Sequence, residues 1–187
     1  AEHLHLTQNI ARDEGGGLWA AGATSCQLRH SVIAQNEARA PQGTGGGAHL
    51  TLGARLWGSA LEVRANKCDG PGAGIIALNA SLTLRDRSVV QDNASHAGRG
   101  AALYVETSAS SQLDALVARG ALELPLTLDL SQLDLLGNLA GRSPAAAFIG
   151  NLDTTPTLAL RLTLGEGIAW RANRVLGAPV DKEPVAI

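Results

Sequence analysis

The stretch Ser31–Asn66, SVIAQNEARAPQGTGGGAHLTLGARLWGSALEVRAN, decides the fold. It holds a short apolar run closing on Asn36, a polar loop, the glycine triplet Gly45–Gly47, alternating apolar residues, and a second run closing on Asn66. The same parts return in the same order along the chain. Leu6–Asn9, Val32–Asn36, Val63–Asn66 and Val89–Asn93 each end on asparagine, in steps of 27, 30 and 27 residues. A glycine cluster follows each: Gly15–Gly17, Gly45–Gly47, Gly72-Ala73-Gly74 and Gly98-Arg99-Gly100. A period in this range marks a solenoid, a propeller or an array.

Inside each repeat the apolar period is 2, the period of a strand. Leu50-Thr51-Leu52, Leu61-Glu62-Val63, Leu82-Thr83-Leu84 and Leu103-Tyr104-Val105 all alternate. Each repeat therefore offers about three short strands separated by Gly, Asn, Ser or Asp corners. The spacing predicts an all-β, right-handed parallel β-helix of about six rungs, a rod roughly 30 Å tall at the sheet spacing of about 4.8 Å. The chain reads as one β-helix segment. Residues 1–105 form regular rungs, 106–121 a polar insertion with a short helix over Gln112–Arg119, and 122–187 degenerate rungs. Pro125 marks a bend or an edge in the run Leu122–Leu130. Leu135–Asn138 and Ala169–Asn173 restore the asparagine phase, and Leu158–Leu164 alternates.

Composition agrees with a slender shape. With 3% aromatic residues and no Met, a broad interior would be hard to fill, whereas a narrow stacked core needs only Leu, Val, Ile and Ala. The net charge of −2 carries no basic block, which leaves nucleic-acid binding without an electrostatic footprint. No apolar run reaches the length of a membrane span, so membrane insertion is not expected. Both ends read as incomplete repeats, and the expectation is a segment of a longer protein. Cys26 and Cys68 fall at different phases of the repeat, too far apart for a disulfide to join them.

The glycines Gly17, Gly47, Gly74 and Gly100 read as tight corners before the first strand of each rung. A phosphate cradle would open a helix and carry Lys-Ser/Thr, and these do neither. Asn36, Asn66 and Asn93 read as an amide ladder, each bonding its equivalents above and below. Aligning the glycine clusters places Leu18, Ala48, Ile75 and Ala101, then Ala20, Leu50, Ala77 and Leu103, in the core. The alternate columns hold Trp19, His49, Ile76 and Ala102, then Ala21, Thr51, Leu78 and Tyr104. Neither outward column carries a carboxylate for acid–base chemistry, so no catalytic residue is assigned and a non-enzyme is expected. Asp69, Asp86 and Asp92 read as corner residues capping backbone N–H groups. His3 and His5 share one side of a strand but lack a third ligand, so no metal and no cofactor are assigned. Trp19, His49, Ile76 and Tyr104 form the candidate face for a partner chain or a sugar, unless the insertion or the rest of the protein covers it. Asn79 and Asn93 open Asn-Ala-Ser sequons and are candidate glycosylation sites.

The repeats resemble those of the polymorphic outer-membrane protein (Pmp) type of β-helix, within the pectate-lyase-like superfamily. Gly45-Gly46-Gly47-Ala48 and Gly15-Gly16-Gly17-Leu18 match the family's glycine motif. Val63-Arg64-Ala65-Asn66 and Val90-Gln91-Asp92-Asn93 match its asparagine motif, with Val in place of the usual Phe. The resemblance is good over residues 4–105 and poor over 122–180. It implies a non-catalytic structural or adhesive segment of a large cell-surface or extracellular protein, such as part of a filament or appendage. The implied partners are other protein chains, the remainder of the same protein, or glycans. The alternative it leaves open is a polysaccharide lyase or hydrolase, or a carbohydrate-binding module using Trp19 and Tyr104.

Overall fold

The computed structural model describes residues 1–108, 111–122, 124–142, 144, 146–151, 160–175 and 185–186. Four parallel sheets run side by side, three of six strands and one of five, and successive coils stack strand on strand. Sheet A stacks Leu18–Ala21, Ala48–Thr51, Ile75–Leu78, Leu103–Thr107, Ala147–Asn151 and Val185–Ala186. Sheet B stacks Ser25–Arg29, Arg55–Ser59, Ser81–Arg85, Leu126–Leu130 and Leu160–Leu164. Sheet C stacks His5–Thr7, Val32–Ala34, Glu62–Arg64, Ser88–Gln91, Leu133–Leu136 and Ala169–Arg171. Sheet D holds two-residue strands directly after the asparagines, such as Glu37–Ala38 and Lys67–Cys68. A coil therefore has four strands where the alternation predicts three. Two residues are too few to display a period.

Inward side chains fill the core by trading size between neighbouring positions. On sheet A one inward column reads Leu18, Ala48, Ile75, Leu103, Ala147 and the other Ala20, Leu50, Ala77, Val105, Ile149. Where one column is large in the first three coils the other is Ala, so the interior keeps a steady cross-section without aromatic bulk. Sheet C adds the single column Leu6, Ile33, Val63, Val90, Leu135 and Trp170. Together with Leu28, Leu56, Leu82 and Leu84 of sheet B these residues make one contiguous core.

The corner from sheet C to sheet D is built the same way in every coil. Gln8, Gln35, Ala65, Asp92, Gly137 and Ala172 all sit at positive φ, between 53° and 61°. Each is followed by an asparagine: Asn9, Asn36, Asn66, Asn93, Asn138 and Asn173. Asn66 illustrates the bonding. Its Nδ2 donates to Ile33 O at 3.0 Å and to Asn93 Oδ1 at 2.9 Å, while its Oδ1 accepts from the backbone N and the Nδ2 of Asn36, both at 3.0 Å. Asn36, Asn93 and Asn138 repeat the pattern, and Asn36, Asn66, Asn93 and Asn138 are all at most 1% exposed. Every donor and acceptor of such an amide is used, which is what allows the group to be buried.

The glycines divide into two columns, not the one expected. Gly15, Gly45, Gly72 and Gly100 hold φ between 57° and 68° and make the turn into sheet A. Gly17, Gly47 and Gly74 instead lie against the asparagine column. A Cβ on Gly47 would stand 2.4 Å from Gly74 O and 2.9 Å from Asn66 Nδ2. Gly100 thus belongs with Gly72, and Ala102 takes the place of a third glycine in the fourth coil.

The excursion between Thr107 and Leu126 is later than the expected 106–121, because Glu106 and Thr107 remain in sheet A. It carries a helix over Ser111–Ala118. It tucks into the corner between sheets A and B, where Ser108 N donates to Asn79 Oδ1 at 2.7 Å and Leu122 fills the space beside Gly53. Sheet B resumes directly after Pro125, at the break the sequence marks.

Asn66→Asp tests the amide column. A carboxylate there accepts but cannot donate, leaving Ile33 O unpaired and facing Asn93 Oδ1. The expected loss is at least about 3 kcal/mol at neutral pH. Burial raises the carboxyl pKa in the folded state, so the charge-dependent part of the penalty is absent below the unfolded carboxyl value and grows as pH rises towards the folded one, while the single O–H of the neutral acid still leaves one acceptor unpaired. Urea unfolding of wild type and variant at pH 4 and pH 7.5 should show the smaller difference at pH 4.

Candidate functional site

The first outward column of sheet A runs Trp19, His49, Ile76, Tyr104 and Phe148. The second runs Ala21, Thr51, Leu78, Glu106 and Gly150. The alignment by glycine clusters therefore slips by two residues in the fourth coil. Ala101 and Ala102 are buried corner residues, and Tyr104 moves one position back to join Trp19, His49 and Ile76. The slip also hides a carboxylate: Glu106 lies on the outward face of sheet A, contrary to the expectation that neither column carries one.

The column is not an open apolar stripe. Trp19 is 55% exposed, but His49 and Ile76 are 2% and 1% exposed. The glycine corners fold over them: Thr44 Oγ1 lies 2.9 Å from His49 Nδ1, and Gly45 and Gly72 press directly on Ile76. Glu14 bridges what remains, accepting from Trp19 Nε1 at 3.1 Å and lying 3.8 Å from His49 Nε2. Burial holds the His49 pKa below its ordinary value, against the opposing pull of Glu14. Further up, Tyr104 stacks on Phe148 with ring centroids 4.7 Å apart, and its hydroxyl donates to the Glu106 carboxylate. Burial and the neighbouring Glu106 raise the phenol pKa. The carbohydrate-binding pair Trp19 and Tyr104 is thus split by two buried residues.

The two sequon asparagines are engaged. Asn93 is fully buried and both its Nδ2 protons are used, towards Val63 O and Asn138 Oδ1. Asn79 is 7% exposed at a positive-φ corner and accepts from Ser108 N. The Asn93 amide, with both protons used inside the core, leaves no room for a glycan on the folded chain. His3 and His5 do not share a strand side: His3 sits at a corner with φ 53° and stacks on His30, centroids 5.6 Å apart. Among the described residues there is no group of three or more His, Cys, Asp or Glu placed to hold a metal ion. Cys26 and Cys68 are free thiols on different sheets. Burial pushes the Cys68 thiol up to about 12, and its Sγ donates to Gly70 O at 3.0 Å. Among the described residues no helix is long and apolar enough to cross a membrane. Asp86 accepts from Ser59 Oγ at 2.6 Å.

The open face is on sheet B. Its outward columns are Ser25–Arg55–Ser81, continued by Thr127 and Arg161; Gln27–Trp57–Thr83–Asp129–Thr163; and Arg29–Ser59–Arg85. Trp57 is half-buried, with the Arg29 guanidinium 5.0 Å from its ring centroid. Arg85 pairs with Asp129. Two hollows meet at Arg29 and Trp57. One, of about 250 Å³, is floored by Ser81, Thr83 and Thr127; the other, of about 590 Å³, reaches Ser59, Asp86, the His3–His30 stack and Glu2, which lies 3.8 Å from the Arg29 guanidinium. Trp57 lies in Arg55–Ser59, the strand after the one that each glycine cluster leads into, so the glycine phase does not point to it. The signal was present: Ser25–Arg29 and Ser81–Arg85 alternate polar with apolar, and Arg55–Ser59 aligned in step with them puts Trp57 at an outward position.

No protein-family model, curated protein or solved structure matches this chain.

His49 supplies a pH test. With its folded pKa below the unfolded value, the neutral ring's contribution is present above the unfolded pKa and is lost as pH falls from there through the folded one. Wild-type thermal midpoints should drop between pH 7.5 and pH 5, and His49→Gln should show a shallower drop over the same range.

Proposed function

We propose that this chain is a non-catalytic structural or adhesive β-helix segment of a large cell-surface or extracellular protein, such as a filament or appendage. The observation that carries this reading is the buried asparagine column, which ties each coil to the next along the solenoid. Such a column makes a stiff rod whose outward columns are held at constant spacing, a form suited to spanning distance and presenting a surface. The extracellular placement rests on the resemblance of Gly45–Ala48 and Val63–Asn66 to surface-protein repeats. The partners under this reading are other protein chains, the remainder of the same protein, or glycans. Outward carboxylates with a visible partner are spent locally, Asp129 on Arg85, Glu62 on Arg64 and Asp86 on Ser59, which supports display over turnover.

One observation favours a second reading, a carbohydrate-active enzyme. Glu106 and Tyr104 share the outward side of one strand in direct hydrogen bond, the kind of pair that can pass a proton. Incubation with a panel of plant, algal and animal polysaccharides separates the two. The expected outcome is no new reducing ends and no unsaturated product. Product formation that disappears in Glu106→Gln would establish the enzyme and remove the structural reading.

A further inference from the structure

We infer that the outer faces of the first and last coils are complementary, and that the partner they fit is a second copy of this chain, stacked head to tail. The inference deepens the structural reading proposed above and rests on it. The first ground is the direction of the asparagine column. Each inner asparagine donates from its backbone N and its Nδ2 to Oδ1 of the asparagine in the next coil. Its Nδ2 also donates back to a carbonyl of the coil before, three residues ahead of that coil's asparagine. Asn9 makes only the forward bonds, both at 2.9 Å to Asn36 Oδ1, and its own Oδ1 accepts from no described residue. Asn173 donates back to Leu135 O at 2.9 Å and accepts from Asn138, but its backbone N has no described acceptor. The donors that Asn9 Oδ1 lacks are the ones that Asn173 leaves over. With Asn9 of a second copy set on Asn173, that Oδ1 would accept from the Asn173 N and Nδ2. The second copy's Asn9 Nδ2 would reach Trp170 O, three residues ahead of Asn173.

The second ground is the core. Leu6 in the first coil and Trp170 in the last belong to one inward column of sheet C, and both are only partly buried. Stacking would set Leu6 of the second copy on Trp170 and remove apolar surface of both from water. Three sheets also offer free strand edges in the right order: Ala169–Arg171 to His5–Thr7, Arg174–Val175 to Ile10–Ala11, and Val185–Ala186 to Leu18–Ala21. Sheet B, one strand shorter, takes no part in the joint. The third ground is the outward register. Arg171 would lie beside Thr7 and Arg174 beside Ile10, so no like charges meet. Ile10 is 56% exposed, and the aliphatic stem of Arg174 would cover it.

A lone strand from an unrelated chain would pair with one sheet edge and leave the amide column open. A coil that carries asparagine at the same corner completes the column and the edges together, and the last coil of a second copy is such a coil. The two faces differ, so the contact is heterologous. Each added copy presents the same free face again, and the assembly grows as an open filament.

The test uses the full chain in sedimentation velocity over a range of concentrations, with electron microscopy of the products. Mass should rise with concentration, and rods of constant width should lengthen in steps of about 30 Å, the height of one chain at the strand spacing. Thr7→Arg/Ile10→Arg sets two cations against Arg171 and Arg174 at exposed positions that leave the core alone. It should weaken association at least tenfold, and adding Arg171→Glu/Arg174→Glu to the same chain should restore it. Asn173→Asp keeps an acceptor for Asn138 and sets a carboxylate against Asn9 Oδ1, so it should weaken association from the other face. Mixed together, the Thr7→Arg/Ile10→Arg and Asn173→Asp chains retain one competent joint between them and should stop at a pair. If Asn173→Asp fails to fold, Arg171→Glu/Arg174→Glu mixed with Thr7→Arg/Ile10→Arg takes its place, and the complementary pair should form. A chain that stays monomeric up to its solubility, a closed dimer that grows no further, or association that ignores these substitutions overturns the inference. Such a failure leaves the single rod and its asparagine column standing as a structural element. Turnover in the polysaccharide panel removes the non-catalytic reading and leaves the joint to be judged by sedimentation alone.

Discussion

Each coil must turn sharply between sheets C and D while the residue after the turn is buried in a narrow interior. The turn is made by a positive-φ residue, and the asparagine after it takes up the backbone groups that the turn strands. An intramolecular hydrogen bond contributes only about 0.5–1.5 kcal/mol net, but a buried polar group left without one costs about 1–3 kcal/mol. The asymmetry makes the column an all-or-nothing device. Each amide is satisfied only if its neighbours above and below occupy the same place, so the column holds the coils in register as well as together.

Register then decides everything that faces outward. A shift of one residue would send each inward leucine to solvent. With the asparagines aligned, the size-trading columns of sheet A and the leucines of sheet B fall into place, and the alternate side chains are committed to the surface. Two kinds of surface result. On sheet A the glycine corners fold back over the first outward position and bury His49 and Ile76. On sheet B the preceding corners are short in the first three coils, and the excursion in the fourth packs into the A–B corner. The face of Trp57 is left clear and polar. The same backbone economy that lets glycine approach the amide column on one side thus leaves the more open outward face on the other.

Much of the coil was legible because it repeats. The asparagine spacing identifies Asn36, Asn66 and Asn93 as one column and extends to Asn9, Asn138 and Asn173. The strand alternation locates the core around Leu50, Leu82 and Leu103. The fourth coil was misread where Ala101-Ala102 replace the second and third residues of a glycine cluster. Gly98-Arg99-Gly100 resembles Gly72-Ala73-Gly74 by composition, yet it is Gly100 that shares the positive φ of Gly72. From that slip of two residues came the misplacement of Tyr104 and the missed Glu106. Counting back from the alternation Leu103-Tyr104-Val105 would have avoided it, since strand pairing obeys side-chain parity more strictly than it obeys loop composition.

By itself the sequence determined the repeat, the parallel stacking, the amide column and the choice of inward residues, because each follows from a local pattern that recurs at one spacing. Only the tertiary structure decided which outward columns reach solvent. Exposure depends on whether a corner from the same coil or its neighbour folds over a side chain, and nothing in the period-2 pattern distinguishes an outward residue that is covered from one that is open. His49 and Trp57 both point away from the core; Thr44 and Glu14 engage the buried first, and an arginine and two hollows frame the second.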